Sequence, residues 1–379
     1  MKCRICDSDL SSNSAVSLRV PRGTQLFLDA DQIESDSMIN IDLVSCDYCG
    51  HLQTLQSPII YEKQLSSASY VSDQLLQHRL EQAQKTFAYA SETPCNILEV
   101  GCGDGHFLER LAAMTNSVVG VEPSRMSARR ARERGLMIEE TLVDEETKIP
   151  RAPFDAFFSF HVLEHVPSII RFLRGIRKNL SLGAVGCVEV PSTEAAFEKN
   201  RYGDFMPDHM SYFFSRTLRM SLELGGFDVL DLERNWAGEH LVAYVKVRRE
   251  RLQEEVGNWV SSTTDKLTKF LKKAKKDREK VAMWGASHHI LPVLGQIPHD
   301  LLPIIVDVST TKQGRYTPGS HILVEAPSAL ADERVDYVIV TAPRFQAEIH
   351  TALEELLPGK AAKVEADIGV SNSYLRLKW

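Results

Sequence analysis

The sequence has no apolar run near the ~20 residues that a bilayer-spanning helix requires, and its first residues lack a basic segment followed by an apolar core. A membrane partner and an exported destination are therefore not expected, and the anticipated location is cytoplasmic. A surplus of positive charge is also missing: 44 lysines and arginines stand against 51 aspartates and glutamates, a formal net charge of −7. That balance offers no general attraction to a phosphate backbone, so nucleic acid is not an expected partner. Low-complexity tracts and internal repeats are absent, and 43% apolar with 25% charged residues is an ordinary globular composition. Cysteine is scarce and odd in number, seven in all. Four of the seven fall in close pairs, which in a reducing compartment points to metal rather than to disulfides.

At roughly 100 to 200 residues per domain, the 379 residues should form two or three domains. Up to residue 69 the chain is rich in turns and carries the paired cysteines. From Cys95 apolar strand-like runs alternate with helical ones: Asn96 to Val100, a helix from His106, Val118 to Glu122, a helix from Ser124, Ala156 to Phe160, a helix from Ser168, and Val185 to Val190. Alternation of this kind predicts a parallel sheet with helices on both faces. A helix over Ser215 to Leu224 should stop at Gly225-Gly226, followed by strands at Val229 to Glu233 and Leu241 to Val247. The stretch from Arg248 to Lys280 is charged and helical, and its basic run from Lys266 reads as a solvated face. A third block opens with a strand at Val281 that runs into the Gly285 turn, with further strands at Ile304 to Val308 and Tyr337 to Thr341. The expected division is 1–69, 70–247, a helical linker at 248–280, and 281–379.

Cys3-x-x-Cys6 and Cys46-x-x-Cys49 form two knuckles, each short enough to present both thiolates to one ion. Zinc takes four such ligands in a tetrahedron. A closed structural zinc site is expected from Cys3, Cys6, Cys46 and Cys49, with unligated thiols or a redox pair as the competing readings. Four cysteines leave no open position for a catalytic metal.

Glu99-Val-Gly101-Cys-Gly103-Asp-Gly105 stands where the first strand turns into the first helix. Its spacing differs from the G-x-G-x-x-G of dinucleotide enzymes. Val118-Val-Gly-Val-Glu122 ends the second strand in an acid, the position from which a carboxylate accepts ribose hydroxyls. Together the two elements resemble the class I S-adenosylmethionine methyltransferases, which implies S-adenosylmethionine as cofactor, held by Glu99, Gly101, Gly103, Gly105 and Glu122. In Phe160-His161-Val-Leu-Glu164-His165, both histidines fall at the carboxyl edge of the sheet where ligands bind. His161 is expected on the cofactor side and His165 among the catalytic groups, with local packing as the alternative for each.

After the fifth strand comes Pro207-Asp208-His209-Met-Ser211-Tyr212, an acid, a histidine and a tyrosine suited to handling a proton. Glu239-His240 offers a second polar cluster. The run Lys312-Gln-Gly314-Arg315-Tyr316-Thr-Pro318-Gly319, with Trp284-Gly285-Ala286 before it, closely resembles the C-terminal domain of bacterial nucleotide-sugar C-methyltransferases. That family shares the order seen here, and the resemblance spans essentially the whole chain. It implies an α/β protein with a class I methyltransferase Rossmann-like core, a small N-terminal zinc-binding domain and a second Rossmann-like domain. The implied substrate is a small molecule, a nucleotide-linked keto-deoxysugar, methylated on the carbon beside its ketone. The family's base maps onto His209 with Asp208 as its partner, and Tyr70 matches a tyrosine that reaches the core site. Tyr212, Glu239 and His240 are candidates for the substrate side, and Lys312, Arg315 and Tyr316 suit a pyrophosphate, since arginine binds it in a fork and lysine as a point charge. Three departures from the family pattern are visible: Asp208 for glutamate, Met206 for tyrosine, and His288-His289 in place of a lysine-glycine pair. The competing readings are a methyltransferase for another small metabolite and a non-catalytic binding protein, the latter opposed by the intact glycines and Glu122.

Overall fold

The computed structural model describes residues 1–10, 15–23, 28–56, 71–248, 252–341, 343–358, 362–366 and 373–377. Two compact units result, Met1–Arg249 and Glu250–Trp379.

The first unit opens with strands β1 (Val16–Pro21), β2 (Met38–Ser45) and β3 (Leu52–Thr54). Helix α1 (Asp73–Ala88) leads into β4 (Asn96–Val100), α2 (His106–Ala112), β5 (Ser117–Val121), α3 (Arg125–Glu133), β6 (Ile138–Glu139), β7 (Phe154–Phe160), α4 (Ile169–Lys178) and β8 (Leu180–Pro191). Next come α5 (Thr193–Glu198), β9 (Ser211–Tyr212), α6 (Ser215–Leu224), β10 (Phe227–Asn235) and β11 (His240–Val247). The expected strands and helices are present, and several helix starts are explained by their caps: the Ser124 side chain accepts from the Ser127 amide at the head of α3, and Ser192 from Ala195 at the head of α5.

Seven strands form one sheet in the order β10-β11-β8-β7-β4-β5-β6. The run from β8 to β6 is parallel, and β11 lies antiparallel between β8 and β10. Alternation along β4 sends Leu98 and Val100 into one apolar layer and Ile97 into the other. Leu76 and Ala83 of α1 pack into that second layer with Val185 and Cys187 of β8. On this face, Glu99 and Glu189 continue the inward rows of β4 and β8, so two carboxylates are buried under α1. The face is otherwise closed by aromatic rings, Phe107 meeting Phe158 and Phe160 edge to face.

The expected boundary near residue 70 does not divide compact units. β3 pairs with β9, placing Leu52 opposite Tyr212 in a four-stranded sheet β1-β2-β3-β9. Arg216 donates to the Cys49 carbonyl and Arg4 to that of Pro167. Cys3, Ile5, Cys46 and Cys49 share an apolar cluster with Phe213 and Leu218. The cysteine knuckles are thus built onto the segment that follows β8.

The second unit begins with α7 (Leu252–Asp277), followed by β12 (Val281–Trp284), α8 (Leu291–Leu294), β13 (Ile304–Val306), β14 (Val324–Glu325), α9 (Ala329–Asp332), β15 (Tyr337–Val340), α10 (Gln346–Leu356), β16 (Ala362–Ala366) and β17 (Ser373–Leu377). Its six-stranded sheet runs β14-β13-β12-β15-β17-β16, parallel in its first four strands and antiparallel thereafter. The stretch read as a linker belongs in part to this unit. Leu267, Leu271 and Ala274 recur at helical spacing and are buried against Met283, Ile305 and Ile339. Lys269, Lys272, Lys273, Lys275 and Lys276 remain exposed, as expected of a solvated basic face. No helix among the described residues is long and apolar enough to cross a membrane.

Because Leu271 is a core residue of the second unit, Leu271→Ala should destabilise that unit by ~2–5 kcal/mol. Urea unfolding of the full chain should show this as an earlier transition; an unchanged midpoint would mean that the helix does not support the unit.

Candidate active site

The carboxyl ends of β4 and β5 meet at a cavity of about 570 Å3. Gly101 and Gly103 line it, and a Cβ added at Gly103 would project into open space, so the loop's backbone borders the cavity directly. Gly105 serves differently. It caps α2 in a left-handed conformation (φ 81°), and a Cβ there would come within 2.5 Å of Leu136, so this glycine lets the helix pack closely. Glu122, just past β5, accepts from the Gly103 amide at 2.9 Å and from the Ser124 amide at 2.8 Å. Burial raises its pKa while these two bonds pull it back. A carboxylate has about four lone-pair sites, so the residue that clamps the glycine loop retains acceptor capacity toward the cavity it lines. Glu99 lines the same cavity, and its Oε2 is buried without a hydrogen-bond partner among the described residues. Burial pushes its pKa up to about 8, the charge of Arg79 opposing the shift and that of Glu122 adding to it. An open cradle, an acid with spare acceptors and an orphaned carboxylate oxygen fit the ribose and amino-acid portions of S-adenosylmethionine.

The histidines occupy the neighbouring wall. At the end of β7, His161 adopts φ 56°, which swings its ring between two carboxylates. Its Nε2 lies 3.0 Å from Glu189 Oε1 and its Nδ1 3.4 Å from Glu164 Oε1. Burial alone would lower the His161 pKa, but the hydrogen bonds and charges of Glu164 and Glu189 outweigh it and hold the ring up to about 9. His161 lines the cavity, and both its ring nitrogens face these acids. His240 belongs to the same group: its Nδ1 is 3.3 Å from Glu189 Oε1, and its ring meets His161 at 4.5 Å.

His165 and His209 pack edge to face at 4.8 Å. With Glu164 they bring their nitrogens and a carboxylate oxygen within 4.8 Å of one another, and all three residues line the cavity. His165 Nδ1 lies 3.0 Å from the Asp208 carbonyl and 3.8 Å from Asp208 Oδ2. A carbonyl can only accept, so Nδ1 carries the proton in the neutral ring and Nε2 is left as acceptor. Asp208 therefore sits against His165, while its charge also reaches its sequence neighbour His209. Burial lowers His209 to about 4, against the upward pull of Glu164, so the imidazole is neutral near pH 7. Burial would raise Glu164, but the His161 hydrogen bond and the surrounding histidines hold it down at about 2.

Tyr212 is buried and donates its hydroxyl to the Met206 carbonyl at 3.0 Å, in a narrow recess that shares Glu164 and His209 with the cavity. Glu239 is paired with Lys199 and Arg201 and does not line the cavity. Tyr70 lies outside the described residues. Lys312, Arg315 and Tyr316 belong to the second unit, where Lys312 Nζ is 2.8 Å from Asp307 Oδ2 and Tyr316 is exposed beside Leu323. Arg315 forms the turn between them, its amide donating to the Lys312 carbonyl at 3.1 Å. Glu164, Glu189, Gln82 and Arg79 were not singled out by the sequence reading. Glu164 stands inside a quoted motif, but the other three look like ordinary strand and helix positions.

The cysteine knuckles converge away from this cavity. Cys3 and Cys49 bring their sulfurs to 3.5 Å, Cys6 and Cys46 to 3.6 Å, and all four lie within 4.8 Å. Sulfurs ~2.3 Å from a tetrahedral zinc would be ~3.8 Å apart, so this group could hold a metal ion. His51 beside them is fully buried, with its ring on Phe213 at 5.3 Å.

The sheet order, with one antiparallel strand between the fifth and sixth of the core, and the glycine cradle closed by Glu122 define a class I S-adenosylmethionine-dependent methyltransferase. Residues 72–232 match the methyltransferase domain family, and residues 244–364 match the C-methyltransferase C-terminal domain family. The C-methyltransferase NovU of Streptomyces niveus is 24% identical over 394 residues, an alignment spanning 94% of this chain and 93% of that protein. A probable S-adenosylmethionine-dependent methyltransferase of Mycolicibacterium smegmatis is 26% identical over 137 residues, 36% of this chain and 53% of its own. Among solved structures, S-adenosylmethionine-bound CalS10, an amino pentose methyltransferase of Micromonospora echinaspora, is 15% identical and covers 51% of this chain and 100% of its own at a TM-score of 0.39. The protein is an S-adenosylmethionine-dependent methyltransferase whose matched segments pair a methyltransferase domain with a C-methyltransferase C-terminal domain.

The His161 ion pairs give stability a pH signature. With a folded pKa of about 9 above the ~6.5 of an unfolded histidine, their contribution is complete below roughly pH 6.5 and fades as the pH rises toward 9. Chemical unfolding at several pH values should show an alkaline loss of stability in the wild type that is flattened in His161→Asn. Equal loss in both proteins would mean that His161 is not held as the cation.

Proposed function

We propose that the enzyme methylates the carbon beside the ketone of a nucleotide-linked keto-deoxysugar. The observation that carries this reading is a buried, neutral His209, next to the Glu164 carboxylate, on the wall of the cavity that also takes in Gly103 and Glu122. The resemblance of the second unit to nucleotide-sugar C-methyltransferases supplies the substrate class, and NovU, similar along nearly the whole chain, is itself named a C-methyltransferase.

A carbon acid of this kind must lose a proton before it can form a bond to a methyl group. S-adenosylmethionine, when bound, supplies that methyl as an electrophile. His209 removes the proton, its neutral ring offering a free lone pair. The imidazolium so formed is stabilised by Glu164, which stays ionised and, being buried, acts at reduced dielectric. His165, a third exposed and fixed by Asp208, accepts at Nε2 and passes the proton toward solvent. By the family resemblance, Tyr70 is assigned to the catalytic group with His209, Asp208 and His165. Lys312 and Arg315 are assigned to the pyrophosphate, Lys312 exchanging its bond to Asp307 for one to the ligand. The setting we assign is the cytoplasm, with a small-molecule substrate and neither nucleic acid nor membrane as partner.

The base is tested by His209→Asn, which should leave S-adenosylhomocysteine binding intact while turnover falls about a hundredfold or more. In heavy water, wild type should exchange the acceptor-carbon proton of the keto-sugar and the variant should not. Near-normal turnover in the variant would move the base elsewhere; refusal of every keto-sugar nucleotide would overturn the substrate assignment.

We assign zinc to the four cysteines, as a structural ion. Freshly purified protein should contain ~1 zinc per chain, and Cys46→Ser should lower both zinc content and melting temperature because metal binding is coupled to folding. Elemental analysis without zinc would remove the assignment.

A further inference from the structure

The strand order β11-β8-β7 sets three polar side chains side by side at one end of the large sheet. Glu189 of β8 pairs in register with Val242 of β11 and Phe160 of β7. His240 opens β11, and His161 is the residue after β7, its amide donating to the Glu189 carbonyl at 2.9 Å. Each strand thus contributes one residue able to ligate a metal. Together they bring two imidazole nitrogens and a carboxylate oxygen within 4.8 Å of one another.

Glu189 Oε1 is the hub, with His161 Nε2 at 3.0 Å and His240 Nδ1 at 3.3 Å. Atoms bound ~2.1 Å from one divalent ion stand ~3.0 Å apart at a right angle and ~3.4 Å apart at the tetrahedral angle. The observed spacings are therefore those of neighbours in one coordination shell. His240 Nδ1 is buried and makes no hydrogen bond among the described residues, despite that proximity. A nitrogen turned toward a point it shares with the carboxylate, rather than toward the carboxylate itself, has this geometry. The surroundings are also those of metal ligands. Gln82 donates to the other oxygen of Glu189 at 2.6 Å, and the second nitrogen of His161 lies 3.4 Å from Glu164 Oε1. Outer groups of this kind orient the ligands and fix which ring nitrogen binds.

We propose that His161, Glu189 and His240 form a metal site for a divalent first-row transition ion, separate from the four cysteines. Two imidazoles and a carboxylate suit zinc, manganese, iron(II) or cobalt, whereas calcium and magnesium take oxygen ligands. Three protein ligands leave room for water or another donor. The ion replaces the proton that His161 otherwise carries between its two acids, since a ligating imidazole must be neutral. His161 also lines the cavity, whose acids are Glu99, Asp104, Glu122 and Glu164. An ion behind that wall adds positive charge where the cavity is most acidic. The site depends neither on the assignment of the base nor on the sugar reading.

Titration of the full chain with Co2+ alone, after dialysis against a chelator, tests the site. Cobalt on thiolates gives intense charge-transfer absorption, and cobalt on imidazole and carboxylate gives only weak visible bands, so the two kinds of site are read separately. Wild type should take up one Co2+ of the second kind per chain, and its melting temperature should rise on binding. Glu189→Gln and His240→Phe should each weaken that uptake about tenfold or more. Cys46→Ser should alter the thiolate signal and keep the other, and His209→Asn, in the neighbouring histidine group, should keep both. Should Glu189→Gln melt early, His240→Phe decides, because an aromatic ring there keeps the stacking on Trp236. A wild type without non-thiolate cobalt would overturn the site, as would equal uptake by wild type and His240→Phe. Loss of the ion in His209→Asn but not in His240→Phe would place it on the other histidines and overturn the assignment as well.

Discussion

Glu189 is a carboxylate with none of its surface in water, and such a charge costs several kcal/mol to bury unless other groups replace the lost solvent. The replacements come from separate parts of the chain. Gln82 of α1 donates to its Oε2 at 2.6 Å, His161 after β7 lies at 3.0 Å from its Oε1, and His240 at the start of β11 lies at 3.3 Å. Three secondary-structure elements are thereby gathered round the end of β8. His161, drawn toward Glu189, also holds Glu164, and Glu164 stands beside the two histidines of the proposed base. The order of the reactive wall follows from one buried charge.

A second constraint recurs in both units. In the first, Glu122 after β5 accepts from the Gly103 amide and from Ser124 two residues on. In the second, Asp307 after β13 accepts from the Ala286 amide and from Ser309 two residues on, both at 2.8 Å. Each acid ties the turn after the first parallel strand of its sheet to the end of the next. The outcomes differ because Lys312 closes on Asp307, whereas Glu122 borders a cavity. One Rossmann-like device serves as an open ligand cradle in the first unit and as an internally neutralised corner in the second.

The knuckle segment shows how a site far from the chemistry can still support it. β3 adds to β9, and β9 follows His209 by two residues. The cysteine cluster, through Phe213 and the Arg216 contact to Cys49, anchors the far side of that short segment. The loop bearing the proposed base is therefore held just after His209, where the Met210 amide donates to the Glu164 carbonyl at 2.8 Å and β9 joins the knuckle sheet.

Sequence alone determined what depends on near neighbours. Cysteine pairs with two residues between them, glycines at a strand-to-helix turn, an acid closing the second strand, and a helix start at Ser124 are properties of short segments, set by steric limits and local hydrogen bonding. The alternation that predicts a parallel sheet is equally local, and so the core strands were legible. Tertiary structure decided which buried charge met which partner. Gln82 and Glu189 are 107 residues apart, and neither an ordinary glutamine on a helix nor a glutamate in a strand carries a local mark of that meeting. The same holds for Arg79, for the docking of α7 into the second unit and for the joining of β3 to β9. These contacts are chosen because an unpartnered charge or strand edge is costly once buried, and burial is a property of the folded chain as a whole.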